Sequence, residues 1–276
     1  LMGAVSLRNV PAAFGAAVLV ALVGAALAAP WLAPRPPDEI RLQDSLKGPC
    51  AAALLGADPL GRDVLSRLLY GARVSVVVAV ATVAVSLFVG TLLGLLAGYY
   101  GGLVDEAVMR VVDVLLAFPG ILLAIALTAV LGPSLRNVIL ALSLLGWVGY
   151  ARIVRAQVMS VREREYVLAA RSVGAGDAWI WRRHILPNVL APVIVEATFG
   201  AAGAILGEAG LSFLGLGTQP PHPSWGSMLN EGRQFLFVAP HLTLAPGVAI
   251  MAVVLSLNFL GDALRDSLDV RRRGPS

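Results

Sequence analysis

One lysine, one cysteine and three histidines are spread thinly over 276 residues, and each scarcity removes a class of function. Cys50 has no second thiol to pair with, so no internal disulfide forms. His184, His222 and His241 are too scattered to share a metal, and no metal site is assigned. Lys47 stands in no G-x-x-x-x-G-K-[ST] run, the loop that cradles nucleotide phosphates, so this chain cannot hold ATP in that way. No nucleophile–base constellation is present either. Ser66 and Asp63 read as parts of a polar interfacial segment, and no residue is assigned as catalytic. Charge is scarce as well, at 14% of residues, against about 25% in soluble domains. The balance is basic, with net charge +4 and pI 9.7. No basic stripe comes with stacking aromatics, so nucleic acid is not an expected partner.

What the chain has instead is apolar length. Hydrophobic residues make up 58% of it and the mean hydropathy is +0.80. A helix needs roughly 20 apolar residues to cross a bilayer core. Six segments approach this, predicting an all-α membrane protein with six transmembrane helices in contact with lipid. They run from Val10 to Ala33, about Val74 to Gly98, about Val108 to Leu131, near Asn137 to between Arg152 and Arg155, about Val189 to Leu214, and roughly Leu242 to Gly261. The fourth is free of charge only between Arg136 and Arg152, so it crosses if Arg152 snorkels or faces protein. Ala26-Leu27-Ala28 looks like a cleavage box, but a signal core is only about 7–15 residues long. The first segment is longer and reads as a retained helix.

Positive charge sets the expected orientation. Arg152, Arg155, Arg162, Arg164, Arg171, Arg182 and Arg183 cluster between the fourth and fifth spans, and Arg265 and Arg271 to Arg273 lie in the tail. Positive-inside then puts this loop and the C-terminus in the cytoplasm; six crossings put the N-terminus there as well, and the long loop Pro34 to Arg73 falls outside. Gly90, Gly94 and Gly98 recur every four residues and line one helix face, where two backbones can approach closely; Gly203 and Gly207 repeat the spacing. Three carboxylates fall inside spans and are candidates for the pathway or its gate: Asp113, Glu196 and Glu208. A structural role competes at each, as an interfacial group for the first two and as a helix–helix hydrogen bond for Glu208. The outer loop Gly217 to Pro240 is rich in Pro and aromatics and reads as ordered.

The polar segment "REYVLAARSVGAGDAWIWRRHILPN", Arg164 to Asn188, interrupts these spans. Strong helix formers meet Gly174-Ala175-Gly176, which should break the helix. Asp177 can cap a second short helix to about His184, and Pro187 should stop it. Two angled helices on the membrane surface make a knob for another protein's groove. Composition alone equally allows a helix floating at the headgroups, which Trp179, Trp181 and Arg182 would suit.

Spacing adds a resemblance. Ala169-Ala170, Gly174 and Leu186-Pro187 keep the register of the EAA loop of binding-protein-dependent ABC importer permeases, with Leu168 where the family has Glu and His184 where it has Ile. "LLGADPLGRDVLSRLLYGARVS", "GYYGGLVDEAVMRVVDVLLAFP" and "EAGLSFLGLGTQPPHPSWGSML" resemble the C-type permease subunit of dipeptide, oligopeptide and nickel importers. The resemblance implies an N-terminal helix and external loop over 1–73, a five-helix core over 74–265 with a coupling loop over 162–187, and a cytoplasmic tail over 266–276. It implies coupling to an ATPase through Glu165, Tyr166, Ala169, Ala170, Gly174, Ala175, Leu186 and Pro187. It further implies a homologous B-type permease, two ATP-binding subunits that hold the ATP and Mg, and an external solute-binding protein as partners in a prokaryotic plasma membrane. No cofactor is expected in this chain. Glu165, one helical turn before Leu168, is expected to take over part of the missing Glu's role. The runner-up class is an ATP-independent secondary transporter, but the chain shows no inverted repeat and would leave the polar loop without a task.

Overall fold

The computed structural model describes residues 10–270; Arg8, which flanks the first span, and Arg271 to Arg273 of the tail lie outside them. Among the described residues ten α-helices follow one another: α1 (Val10–Leu32), α2 (Val64–Tyr100), α3 (Gly102–Leu116), α4 (Gly120–Leu131), α5 (Leu135–Arg162), α6 (Glu165–Ser172), α7 (Asp177–Ile180), α8 (Leu186–Phe213), α9 (Trp225–Gly232) and α10 (His241–Val270). Helix is the expected solution, since lipid offers backbone groups no other partner. Five helices are long and apolar enough to cross a membrane: α1, α2, α5, the continuous run Asp177–Phe213, and α10.

The third expected span, Val108 to Leu131, is not a single helix. It is a pair, α3 and α4, bent by 85°. Pro119 causes the break. It has no N–H to continue α3 and biases Phe118 away from helical geometry. Its carbonyl then starts α4 by accepting from Leu122 N and Leu123 N. α3 carries Asp105, Glu106, Arg110 and Asp113, and lays Val108, Met109 and Leu115 against α2 and α5.

Three other boundaries differ from the hydropathy reading. α2 begins at Val64, ten residues earlier than expected, so it runs unbroken through the 73/74 division. Asp63 caps it, accepting from Ser66 N at 2.8 Å. α5 continues past Arg152 and Arg155 to Arg162, and α10 continues through 266 to Val270.

α2 is the axis of the bundle and touches α1, α3, α5, α8, α9 and α10. Against α5 the approach is at backbone distance. A Cβ placed on Gly90, Gly94 or Gly98 would lie 2.5, 2.5 and 2.8 Å from the carbonyl oxygens of Trp147, Ala151 and Arg155. Gly203 and Gly207 do not repeat this. Gly203 faces open space, and Gly207 meets the Leu142 side chain.

At one end of the bundle, the loop before α2 is locked to α9 by a buried ion network. Arg62 and Arg67 each reach both Asp58 and Glu231, at 2.5 to 3.0 Å. Trp225 adds a bond from Nε1 to Leu68 O at 3.0 Å and rests on Gly71. The outer loop expected to be ordered contains α9, which opens with a Ser224/Ser227 capping box. On the exposed side of this end, the Lys47 ammonium holds the Asp44 carboxyl below its ordinary range through a 3.0 Å hydrogen bond.

Candidate functional site

At the opposite end, the polar loop folds as two short helices tethered to the end of α2. Arg162 closes α5 and donates from Nη1 to Gly98 O (2.8 Å) and Tyr99 O (3.3 Å), giving the last carbonyls of α2 a cation. α6 then runs from Glu165 to Ser172, and the chain turns away at Gly174, whose φ of +81° suits glycine. Gly174 N bonds Arg171 O and Ala175 N bonds Ala170 O, the paired bonds of a Schellman motif.

Asp177 does not cap the second helix with its side chain. Gly176 takes the cap position, and the carboxylate accepts from Tyr99 Oη at 2.6 Å and Tyr100 Oη at 3.3 Å. The Tyr99 ring lies edge-on to Tyr100 and Trp181, with the Arg171 guanidinium 4.7 Å above it. Val167, Ala170, Ile180 and Ile185 are buried beneath the loop. Pro187 does not stop the helix either. A wide turn over Trp181–Ile185 precedes it, in which Leu186 N bonds Trp181 O. That extra residue gives the proline ring room in the first turn of α8, so α7 and α8 form one rod, Asp177–Phe213.

The loop's outer side sets apolar residues among exposed charges, Arg164, Glu165, Arg171, Asp177, Arg182 and Arg183. Tyr166, Leu168 and Trp179 are exposed, and Val173 is 85% exposed. His184 has Tyr166 and Trp179 rings at 5.5 and 5.0 Å, so an aromatic cluster occupies the position where an isoleucine was expected. Glu165 and Ala169 are exposed, Ala175 and Leu186 half-buried, Pro187 exposed, and Ala170 faces inward. Glu165 makes no hydrogen bond or ion pair among the described residues; within the chain, Arg162, Tyr99 and Asp177 hold the loop. The resemblance did not single out those three residues.

Asp177→Ala should therefore loosen the loop without unfolding the bundle. A half-exposed hydrogen bond to a carboxylate is worth about 1–1.5 kcal/mol. Trypsin should then cut after Arg171 roughly five- to tenfold faster in the purified protein, with the melting temperature little changed. Equal cleavage rates would show that the tether does not hold the loop.

A second feature lies among the spans. Helices α2, α4, α5 and α8 line a half-open cavity of about 370 Å³. Its walls include Thr82, Ser86, Ile121, Leu145, Tyr150, Glu196, Gly200 and Gly203. Of the three carboxylates expected at depth, only Glu196 lines it. Asp113 is exposed on α3, away from the cavity. Glu208 is 1% exposed at the junction of α8 and α9, where it accepts from Ser212 Oγ at 2.6 Å. It does not line this cavity.

Comparison with known proteins gives a consistent picture. Residues 90–274 match the family described as binding-protein-dependent transport system inner membrane component, and residues 7–49 match the N-terminal TM domain of oligopeptide transport permease C. A dipeptide transport system permease of Alkalihalophilus pseudofirmus is 45% identical, over 96% of this chain and 88% of its own. A glutathione transport system permease of Pectobacterium atrosepticum is 44% identical, over 95% and 87%. A di/tripeptide transport system permease of Pseudomonas aeruginosa is 43% identical, over 95% and 88%. Among solved structures, the inward-facing MetNI methionine ABC transporter shares the fold, with TM-score 0.57 and 20% identity over 72% of this chain and 95% of that one. A crystallised amino acid ABC transporter does so with TM-score 0.56 and 15% identity, over 75% and 94%.

Proposed function

The chain belongs to the family of binding-protein-dependent transport system inner membrane components, and from that premise we propose that it forms half of the translocation pathway of an ATP-driven importer of di- or oligopeptides. The other half is a homologous B-type permease. Two ATP-binding subunits supply the hydrolysis for which this chain has no phosphate loop. An external binding protein delivers the solute. Positive-inside puts the Arg-rich loop and the C-terminus in the cytoplasm and the ion-locked end outside, and with α3 and α4 counted as one crossing the N-terminus is cytoplasmic as well.

The observation that carries this reading is the tethered loop. Its buried side is fixed to α2, and its outward side presents Tyr166, Leu168, Val173 and Trp179, exposed among the described residues. A push on that face reaches two long elements directly. One is α2, through Arg162 and Tyr99; the other is the rod Asp177–Phe213, through its first turn. Closing the ATPase pair would move both as levers and switch the cavity between its two openings. Glu165, exposed beside this face, is available to a polar group of the ATPase.

Val173→Asp tests the docking face. A carboxylate buried in an apolar interface costs several kcal/mol unless paired. Co-purification of the ATPase subunits should fall at least about tenfold, while the permease pair keeps its thermal stability. Undiminished recovery would mean the ATPase docks elsewhere. A second reading, glutathione as solute, is favoured by relatives that are as similar as the peptide permeases. Uptake of labelled Ala-Ala against labelled glutathione, in proteoliposomes of the full complex with its binding protein, separates the two.

A further inference from the structure

The cavity among α2, α4, α5 and α8 has a chemistry of its own. An ionisable group inside a span is costly and is kept where it meets a partner or a solute. Glu196 is the one charged residue on the cavity wall. It is half-buried and makes no hydrogen bond or ion pair among the described residues. Glycines keep it uncovered: Gly200 and Gly203 follow it on α8, and a Cβ on Gly149 would sit 3.4 Å from its Oε1. The residue after Gly149 is Tyr150, 3% exposed, whose hydroxyl is buried without a hydrogen-bond partner. That hydroxyl is set against the cavity-lining Gly200, where any Cβ would strike it. A phenol oxygen left bare at such depth is a donor or acceptor held for something absent from the chain.

We propose that Glu196 and Tyr150 form a recognition point inside the permeation cavity for an ammonium group of the passing solute. The proposal rests on the importer reading and names the chemistry of what is carried. An ammonium brings three donors and a positive charge; the carboxylate and the phenol oxygen are acceptors with free lone pairs. A carboxylate-bearing end of the same solute would be repelled. The point therefore orients a zwitterion, amine toward α8, as well as retaining it.

The test reads charge selectivity without needing the natural solute. In the full complex, Gly203→Cys is combined with Cys50→Ser. The rate of modification by 2-(trimethylammonium)ethyl methanethiosulfonate is compared with that by the 2-sulfonatoethyl reagent, using mass spectrometry of this chain. The cation-to-anion rate ratio should drop by about fivefold or more when Glu196→Gln is added, the scale of one close charge pair in a wet cavity. Glu196→Asp should restore it, and Tyr150→Phe should lower it by about twofold. Identical ratios with Glu and Gln would overturn the proposal. So would a Gly203→Cys thiol that neither reagent reaches. So would failure of the Glu196→Gln chain to co-purify with the partner permease, since Glu196 would then be an ion-pair residue of that interface. Uptake of Ala-Ala by the wild-type complex is measured in parallel. If uptake is absent but the labelling stays charge-selective, the peptide reading falls and the ammonium site stands.

Discussion

Gly94→Ala should break the permease by adding a single methyl group. The added Cβ would stand 2.5 Å from Ala151 O, 2.9 Å from Val154 Cβ and 3.1 Å from Ala151 C. Two of these three atoms are backbone, so no rotamer change relieves the contact, and α2 and α5 must part by several tenths of an ångström. Overpacking of this kind costs about 1–3 kcal/mol, and more where backbone must move. Here the seam also continues through Gly90 and Gly98, so separation at its middle strips contacts at both ends. It ends at Arg162, which holds the α2 carbonyls and the loop beyond. Gly94→Val should be worse than Gly94→Ala. Gly24→Ala is the control: it has nothing within 4 Å and lies in regular helix, so it should be neutral or slightly stabilising. Recovery and thermal stability of the detergent-solubilised complex would decide. If Gly94→Ala melted with Gly24→Ala, the two backbones would not be in contact.

This seam was legible from spacing, because three glycines at every fourth position can only share a face. Span boundaries were less so, for a nameable reason. Hydropathy ends a span at a charge, but a helix continues when the charge is satisfied. Arg73 donates to Ala26 O of α1, and Arg155 makes a two-pronged ion pair with Asp105, 50 residues away in sequence. Neither partner can be read from the residues around the arginine. The bend at Pro119 is different. Phe118-Pro119-Gly120 is a local break signal, and the apolar run on either side masked it.

The same division holds at the candidate site. Helix, glycine turn and helix over 165–185 followed from local chemistry. The use of Asp177 did not, since Tyr99 lies 78 residues away. Glu196 and Glu208 sit on one helix, about 120° apart around its axis at 100° per residue. Which of them meets a cavity and which a neighbour depends on where α9 folds back, and that is fixed by the ion network at the outer end.

Arg67→Ala in that network should be among the most damaging substitutions outside the spans' packing. Arg67 is 2% exposed and bonds Asp58 Oδ2 at 2.8 Å and Glu231 Oε1 at 3.0 Å. The four groups, Asp58, Arg62, Arg67 and Glu231, sum to zero charge. Removing Arg67 leaves two carboxylates sharing Arg62 in a buried site, and breaking such a pair costs about 3–5 kcal/mol. Lysine is not a repair, because one ammonium cannot span both carboxylates as the guanidinium fork does. Arg67→Met with Glu231→Gln should be far milder than Arg67→Ala, since Asp58 and Arg62 remain as a balanced pair at 2.5 Å and the Arg67 volume stays filled. The cycle formed by the two single variants and the double should show coupling of at least about 1 kcal/mol. The functional consequence follows from connectivity. The network is the polar lock between the loop entering α2 and α9, so its loss frees α9 from the head of the central helix. Melting of the complex and its uptake rate should fall together in Arg67→Ala and recover together in the double variant. If Arg67→Ala and the double variant melted alike, charge balance would not be what holds the outer end, and the stabilisation would belong to Trp225 and the Asp63 cap instead.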